Sequence, residues 1–471
     1  MLKEKYFAFI ARCTQNFKPL FMETQPKTNT GERLAIKSII ITILVLFLWL
    51  ATFLIQGLID ERQNRQAEAI SEVSSKWGQQ QTVSGPVLTV PYVEYEKNPN
   101  AYNEPNTPYL KTIKYAHFLP EQLTVNGKLF PEKRYRGIYE VVVYNSNLNF
   151  KGKFTSPDLV ALNVPKENIM YDDAFVSVGI NDLRGIEDEI SLQWNSDKKS
   201  MNPGIASNDV LASGISTPVS ILKNDTTKSS YLFSFNLKLK GSQLLYFTPL
   251  GKETNVNLSA GWSTPSFDGS FLPDNRTVND SGFAANWKVL HLNRNYPQAW
   301  KGSAYEIGSS AFGVNLLTPV DNYQKNTRTV KYSIMIILLT FVVIFFIEIL
   351  NQRSIHPFQY ILIGLGLCIF YSLLIAISEH TSFNFSYLIS CVATIGLISA
   401  YSKSVFKENK LVGLVGGVLT ILHGYIFSLI QLEDYALLMG SIGLFIVLAI
   451  LMYWSRKIDW YNLGKPKNLL P

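Results

Sequence analysis

YSIMIILLTFVVIFFIEIL (332–350), FQYILIGLGLCIFYSLLIAIS (358–378), FNFSYLISCVATIGLISAYS (383–402), LVGLVGGVLTILHGYIFSLIQ (411–431) and YALLMGSIGLFIVLAILMYW (435–454) follow one another with only a few residues between them. Each run is about 20 residues long, and at 1.5 Å per residue a helix of that length crosses a ~30 Å hydrocarbon layer. One such run is compatible with a buried core helix. Five within residues 332–454 cannot all be buried in a soluble domain of that size, so this end of the chain reads as a five-helix membrane bundle.

A sixth run, Ile39–Ile59, follows an N-terminal segment, 1–38, that carries Lys3, Lys5, Arg12, Lys18, Lys27, Arg33 and Lys37. The run is longer than the apolar core of a cleaved signal. It is followed by Asp60-Glu61-Arg62 rather than by a small-residue cleavage site, which marks an uncleaved signal anchor. Alternation from an inside N-terminus leaves three segments inside. They hold Arg353; Lys403, Lys407 and Lys410; and, in the tail 455–471, Arg456, Lys457, Lys465 and Lys467. The outer turns Glu379–Ser382 and Leu432–Asp434 hold no Lys or Arg, as the positive-inside rule requires. Arg62, Arg65, Lys325, Arg328 and Lys331 fall outside, but they flank a large translocated segment and count for less. The expected topology is six transmembrane helices, 39–59 and five within 332–454, with both termini cytoplasmic and residues 60–331 outside.

That middle segment changes pattern twice. In DERQNRQAEAISEVSSKW (60–77), Ile70, Val73 and Trp77 recur every three to four residues, and Glu61/Arg65 and Glu72/Lys76 stand at i,i+4. The helix of the first span is therefore expected to continue and to stop near Gly78, and Gly85-Pro86 confirms the break. Beyond lies strand chemistry. In YLFSFNLKLK (231–240), Phe233, Phe235, Leu237 and Leu239 alternate with Ser234, Asn236, Lys238 and Lys240, giving one buried and one wet face. Weaker strand patterns occupy Val87–Val93, Tyr139–Phe154, Ala174–Ile180 and Asn255–Trp262. Closely spaced Gly, Pro, Asn and Asp clusters favour an antiparallel, sandwich-like all-β domain over a βαβ fold. DNYQKNTRTVK (321–331) reads as a second helical stalk, so the β-domain is expected between helices one and two with a rod at each end.

Charge and cysteine content narrow the function. The formal charge of +7 comes in large part from Lys and Arg beside the spans, so it implies no nucleic-acid partner. The cysteines are Cys13, Cys368 and Cys391, leaving the middle domain without a disulfide or a thiolate metal site. No nucleophile elbow, zinc-protease helix, phosphate-binding loop or dinucleotide fingerprint occurs, and the five histidines do not pair at metal-ligand spacing. No cofactor and no catalytic residue is assigned.

Two groups stand out. Glu379, His380, Glu433 and Asp434, with Asp60, Glu61 and Arg62, form a candidate polar cluster at the outer membrane level. It is suited to a cation, a proton relay or a basic partner, or to wet turns that end helices. The stretch WSTPSFDGSFLP (262–273) is a candidate binding loop through Trp262, Phe267, Asp268 and Phe271, or an ordered loop packed on its own domain. His423 and Glu348 lie within spans: His423 as a hydrogen-bonding partner of a neighbouring helix, Glu348 snorkelling to the interface or paired with Arg353, or either as a relay member. Gly413/Gly417 and Ala436/Gly440 have the small-xxx-small spacing of helix contacts.

Several long segments, in order, resemble the CreD family of bacterial inner-membrane proteins. They are ERQNRQAEAISEVSSKWGQQQTVSGPVLTVPY (61–92), WSTPSFDGSFLP (262–273), GFAANWKV (282–289), FGVNLLTPVDNYQKNTRTVKY (312–332), HPFQYILIGLGLCIFYSLL (356–374), LEDYALLMGSIGLF (432–445) and MYWSRKIDWY (452–461). The resemblance implies an inner membrane with the large domain in the periplasm. It also implies a role in cell-envelope integrity, linked in the family to the Cre two-component stress response and to colicin tolerance; it brings no catalytic residues. The expected function is a membrane anchor presenting a β-domain to a periplasmic protein, lipid or cell-wall partner. The alternative is a transporter or lipid-handling protein that uses the outer acidic cluster.

Overall fold

The structure, a computed structural model, describes residues 30–97, 109–223, 229–316, 322–351, 354–432 and 435–456. These fall into two compact units, a strand unit spanning residues 60–321 and a helical unit made of the rest.

The helices are α1 (Thr30–Trp77), α2 (Asn322–Lys331), α3 (Ser333–Leu350), α4 (Pro357–Ser378), α5 (Phe383–Phe406), α6 (Asn409–Gln431) and α7 (Ala436–Ser455). Among the described residues, α1 and α3 to α7 are the six that are long and apolar enough to cross a membrane. As the periodicity predicts, α1 runs on past the apolar stretch to Trp77, for a total of 48 residues, about 70 Å at 1.5 Å per residue. Its second half carries both i,i+4 pairs, Glu61–Arg65 and Glu72–Lys76, each at 2.7 Å. It ends before Gly78, because Gly78 packs against the Lys240 carbonyl, where a Cβ would fall 2.8 Å from the oxygen. The end is held firmly. Trp77 lies between Arg134 and Lys240, whose charged groups sit 4.9 and 4.8 Å from its ring centroid, and Gln79 N donates to Asp182 Oδ2 at 3.0 Å.

In the helical unit, close approach occurs where a glycine faces a neighbour. A Cβ on Gly364 of α4 would fall 2.1 Å from a Leu48 methyl of α1, and one on Gly443 of α7 would fall 1.9 Å from the Tyr425 hydroxyl of α6. The spacing argument picked the wrong residues: Gly413, Gly417 and Gly440 have nothing within 4 Å, because their helix faces point away from the described residues. Helix α7 has no buried residue.

The strands are β1 (Gln81–Lys97), β2 (Tyr109–Phe118), β3 (Gln122–Arg136), β4 (Tyr139–Thr155), β5 (Phe175–Ile180) and β6 (Ser191–Trp194). Then come β7 (Asp197–Ser200), β8 (Asn202–Pro203), β9 (Gly214–Pro218), β10 (Ser230–Ser242), β11 (Leu244–Phe247) and β12 (Glu253–Ala260). The last are β13 (Pro265–Gly269), β14 (Asn275–Asn279), β15 (Gly282–Leu290), β16 (Ala299–Lys301) and β17 (Phe312–Leu316). They form two sheets. The nine-stranded sheet has the order β13-β17-β11-β1-β5-β9-β8, with β2 on β1 and β16 on β2; the eight-stranded sheet runs β14-β15-β12-β3-β4-β10-β6-β7.

Two expectations need correction. The sheets are mixed rather than purely antiparallel, because β1 pairs β11 and β3 pairs β12 in parallel. Parallel neighbours require long connections, and the segments between these partners supply them. The strand expected from Val87 begins earlier: β1 starts at Gln81 and passes Gly85-Pro86 with an irregular register between Ser84 and Val87, where proline is tolerated.

One apolar core lies between the sheets. In β10, Tyr231, Phe233, Phe235, Leu237 and Leu239 are buried while Leu232, Asn236 and Lys238 are exposed, the alternation read from the sequence. Phe150 and Phe235 of the second sheet stack at 4.7 Å, and Phe150 meets Phe247 of the first sheet at 6.4 Å. Trp287 and Phe312 join the sheets again at 5.7 Å.

Candidate functional site

In the helical unit, polar side chains gather at two levels. Helix α2 is short and polar, and it packs through asparagines spaced one turn apart. Asn322 Nδ2 donates to the Ser378 carbonyl at 2.9 Å, Asn326 Nδ2 donates to Ser378 Oγ at 2.8 Å, and Tyr323 donates to Glu379 Oε1 at 3.1 Å. Lys325 donates to Gln431 Oε1 at 3.3 Å and Gln431 to Asn384 Oδ1 at 2.7 Å. Glu379 is thus tied into a belt that links α2, α4, α5 and α6. His380 is exposed on the following turn. Of the other cluster members, Glu61 is paired with Arg65, and Asp60, Glu61 and Arg62 belong to the strand unit. Glu433 and Asp434 lie outside the described residues. Sequence reasoning missed Asn322, Tyr323 and Asn326, although their i,i+4 spacing was visible.

At the other level, Glu348 of α3 is buried and bonded on both oxygens. Its Oε1 accepts from Lys37 of α1 and from Ile355 N at 3.1 Å, and its Oε2 accepts from the Tyr360 hydroxyl at 2.9 Å. Lys37 also donates to the Ile355 carbonyl at 2.7 Å. Arg353, the partner expected from sequence proximity, lies outside the described residues. A charge pair this poor in solvent needs its remaining lone pairs satisfied, and Tyr360 and Ile355 do so.

His423 also departs from expectation. Its Nδ1 hydrogen-bonds within its own helix, to Leu419 O at 2.9 Å, not to a neighbour, while its Nε2 has no hydrogen-bond partner among the described residues. Phe370 meets its ring edge-on at 4.8 Å, and Tyr387 donates to its carbonyl at 2.8 Å.

In the strand unit, the expected loop at 262–273 is corrected. Pro265–Gly269 is an edge strand paired with β17, because its backbone finds a ladder there. Phe267 is buried against Phe283 and Trp287, at 5.4 and 5.7 Å, and Phe271 meets Phe312 edge-on at 5.8 Å. Trp262 is partly buried against the same core, with Lys133 5.9 Å from its ring. Asp268 accepts from the Tyr246 hydroxyl; burial first, and then this carboxylate, push the Tyr246 phenol well up.

On the nine-stranded sheet, His117 is 1% exposed and lies between Thr89 Oγ1, 3.0 Å from Nδ1, and Asp209 Oδ2, 3.3 Å from Nε2. Burial pushes the His117 imidazole down, and Asp209 offsets only part of this. Among the described residues no group of three or more His, Cys, Asp or Glu is arranged to hold a metal. One open space in the strand unit lies outside the core. A concavity of about 590 Å³ lies on the wet face of the eight-stranded sheet, lined by Asn126, Asn147, Asn149, Asn236, Asn257 and Asn286 among others. No sequence-stretch signal marks it, since those asparagines are scattered over residues 126–286.

A family model described as CreD, Inner membrane protein CreD, matches residues 33–461. The chain is 32% identical over 432 residues to a protein named Inner membrane protein CreD from Escherichia coli (strain K12). The alignment covers 90% of this chain and 93% of that relative.

Proposed function

This chain belongs to the CreD family of inner membrane proteins, and from that premise we propose that it maintains the cell envelope as an anchored binding module. The six apolar helices fix it in the inner membrane, and the two-sheet unit is the part that meets a partner in the periplasm. The alternation of Lys and Arg between the short connections supports this orientation, with both termini cytoplasmic.

The observation that carries the binding reading is where the space lies. The volume between the sheets is filled by Trp194, Trp287, Tyr144, Phe150, Phe154 and Phe247, all fully buried, whereas the concave surface is the outer, polar face of one sheet. A filled core with a shaped exterior suits recognition better than transport or enclosure of a ligand.

The transport or lipid-handling alternative draws on one observation of its own, the buried His423 whose Nε2 has no hydrogen-bond partner among the described residues. A deletion strain tested for detergent sensitivity separates the readings. Complementation by Glu379→Gln/His380→Ala/Glu433→Gln/Asp434→Asn and by His423→Gln, with failure of Asn147→Arg/Ser234→Arg at matched levels, is the expected result. Those two arginines crowd the wet face of the eight-stranded sheet, Asn147→Arg from the lining of the concavity and Ser234→Arg from beside it. Failure of the helical variants together with complementation by the double arginine variant overturns the module reading in favour of transport.

A further inference from the structure

Asparagine is depleted in strands, because its short amide competes for backbone hydrogen bonds and favours turns. Six asparagines nevertheless stand in one cross-strand row of the eight-stranded sheet. Asn236 of β10 pairs Asn149 of β4, and Asn149 pairs Asn126 of β3. Asn126 pairs Asn257 of β12, which pairs Asn286 of β15, which pairs Asn275 of β14. Register alone aligns them. With neighbouring strands ~4.8 Å apart, the five intervals extend about 24 Å.

The row faces away from the core, since the flanking Val125, Leu148, Phe150, Phe235, Leu237, Val256 and Ala285 are buried. Part of it is self-bonded: Asn286 Nδ2 donates to Asn257 Oδ1 at 2.5 Å, and Asn257 Nδ2 to Asn126 Oδ1 at 2.8 Å. Asn149 and Asn236 have no side-chain hydrogen bond among the described residues, so their donors and acceptors face outward.

The adjoining rows add charge. Lys128 pairs Asn147 on one side, and Lys151 stands between Thr124 and Ser234 on the other. Neither lysine has an ion pair among the described residues, whereas Lys238 and Lys288 on the same face are matched by Asp188 and Glu253. Phe130, 50% exposed, lies at the rim with Lys128 5.4 Å from its ring centroid.

An amide presents a donor and an acceptor together, which is the complement of a sugar hydroxyl. The rungs recur at a spacing close to the rise of one pyranose ring along an extended 1,4-linked chain. A lipid or an amphipathic helix would require an apolar stripe here, and the face has none. We propose that this face binds a polysaccharide strand bearing carboxylates, its hydroxyls along the asparagine row and its carboxylates at Lys128 and Lys151. The proposal rests on the binding-module reading and names the class of partner.

The test uses the full chain in lipid nanodiscs and three probes: oligogalacturonate, neutral dextran and dextran sulfate, at about 0.15 M salt, where remote charge is screened. Oligogalacturonate is expected to bind. Asn126→Thr/Asn149→Thr/Asn257→Thr should weaken it about tenfold or more by removing several hydrogen bonds. Threonine is a better strand residue, so the melting temperature should not fall and misfolding is excluded as the cause. Lys128→Gln/Lys151→Gln should abolish the preference for oligogalacturonate over dextran. No binding of oligogalacturonate by the wild type overturns the proposal. So does undiminished binding by the threonine variant, or dextran sulfate bound as tightly by that variant as oligogalacturonate is by the wild type, since these reduce the face to unspecific charge. Such a failure leaves the detergent-sensitivity result for Asn147→Arg/Ser234→Arg untouched, so the module reading falls or stands separately.

Discussion

The Lys37 ammonium of α1 is bonded to the Glu348 carboxylate of α3, although 311 residues separate them in the chain. With side chains only 16% and 9% exposed, the pair is a buried one. Such a pair is worth little against a well-packed apolar substitute, but breaking one half strands a charge.

The first prediction follows from that asymmetry. Lys37→Met alone should destabilise the helical unit by about 3–5 kcal/mol. Lys37→Met/Glu348→Leu/Tyr360→Phe, which also removes the Tyr360 donor, should recover most of the loss. Thermal unfolding in detergent decides it. A triple variant as unstable as the single one would show that the pair itself, and not the stranded carboxylate, sets the cost.

His117 predicts a pH dependence. Burial holds its folded pKa below the unfolded value of about 6.5. The unfolded state therefore binds the extra proton first. The stabilising contribution is complete above about pH 6.5 and is lost as pH falls from there toward the folded pKa, by up to about 1.4 kcal/mol per pH unit. His117→Gln should flatten this slope. An acid-unfolding profile that is the same in wild type and variant would remove His117 as its source.

Gly269 ends β13 with a φ of +92°, and a Cβ there would lie 2.5 Å from the Ala311 carbonyl. Gly269→Ala should cost about 1–3 kcal/mol through backbone strain and collision. The measurement is the melting temperature of the strand unit's transition in the full chain. An unchanged melting temperature would mean that the edge strand opens freely.

The last prediction concerns neighbours on one strand. Leu237 is fully buried and Asn236 is exposed. Leu237→Ala should cost about 2–5 kcal/mol. Asn236→Ala should stay within about 0.5 kcal/mol, as surface substitutions do. Comparable losses from both would mean that the outer face is covered in the native protein.

Much of the fold is written in local periodicity. The six apolar runs, the extension of α1 to Trp77 and the one-sided burial of β10 each follow from residues within one element, because helix and strand geometry repeat every few residues. The resemblance to the CreD family was likewise legible in ordered segments of the chain. The remaining features depend on which strand or helix lies beside which, and no local pattern encodes that.

Asn126 and Asn286 become members of one row only through the register of five strand pairs. Glu348 meets Lys37, a residue 311 positions away, only once α1 lies beside α3. Phe267, which in sequence resembles an exposed aromatic of a turn-rich loop, is buried because β17 offers its backbone an edge. The sequence by itself settled the six apolar helices and the strands of clearest alternation, such as β10, since each secondary structure imposes its own period on burial. The salt bridge, the paired histidine and the asparagine row arose from long-range register and packing, which bring distant residues together at distances that no spacing along the chain can specify.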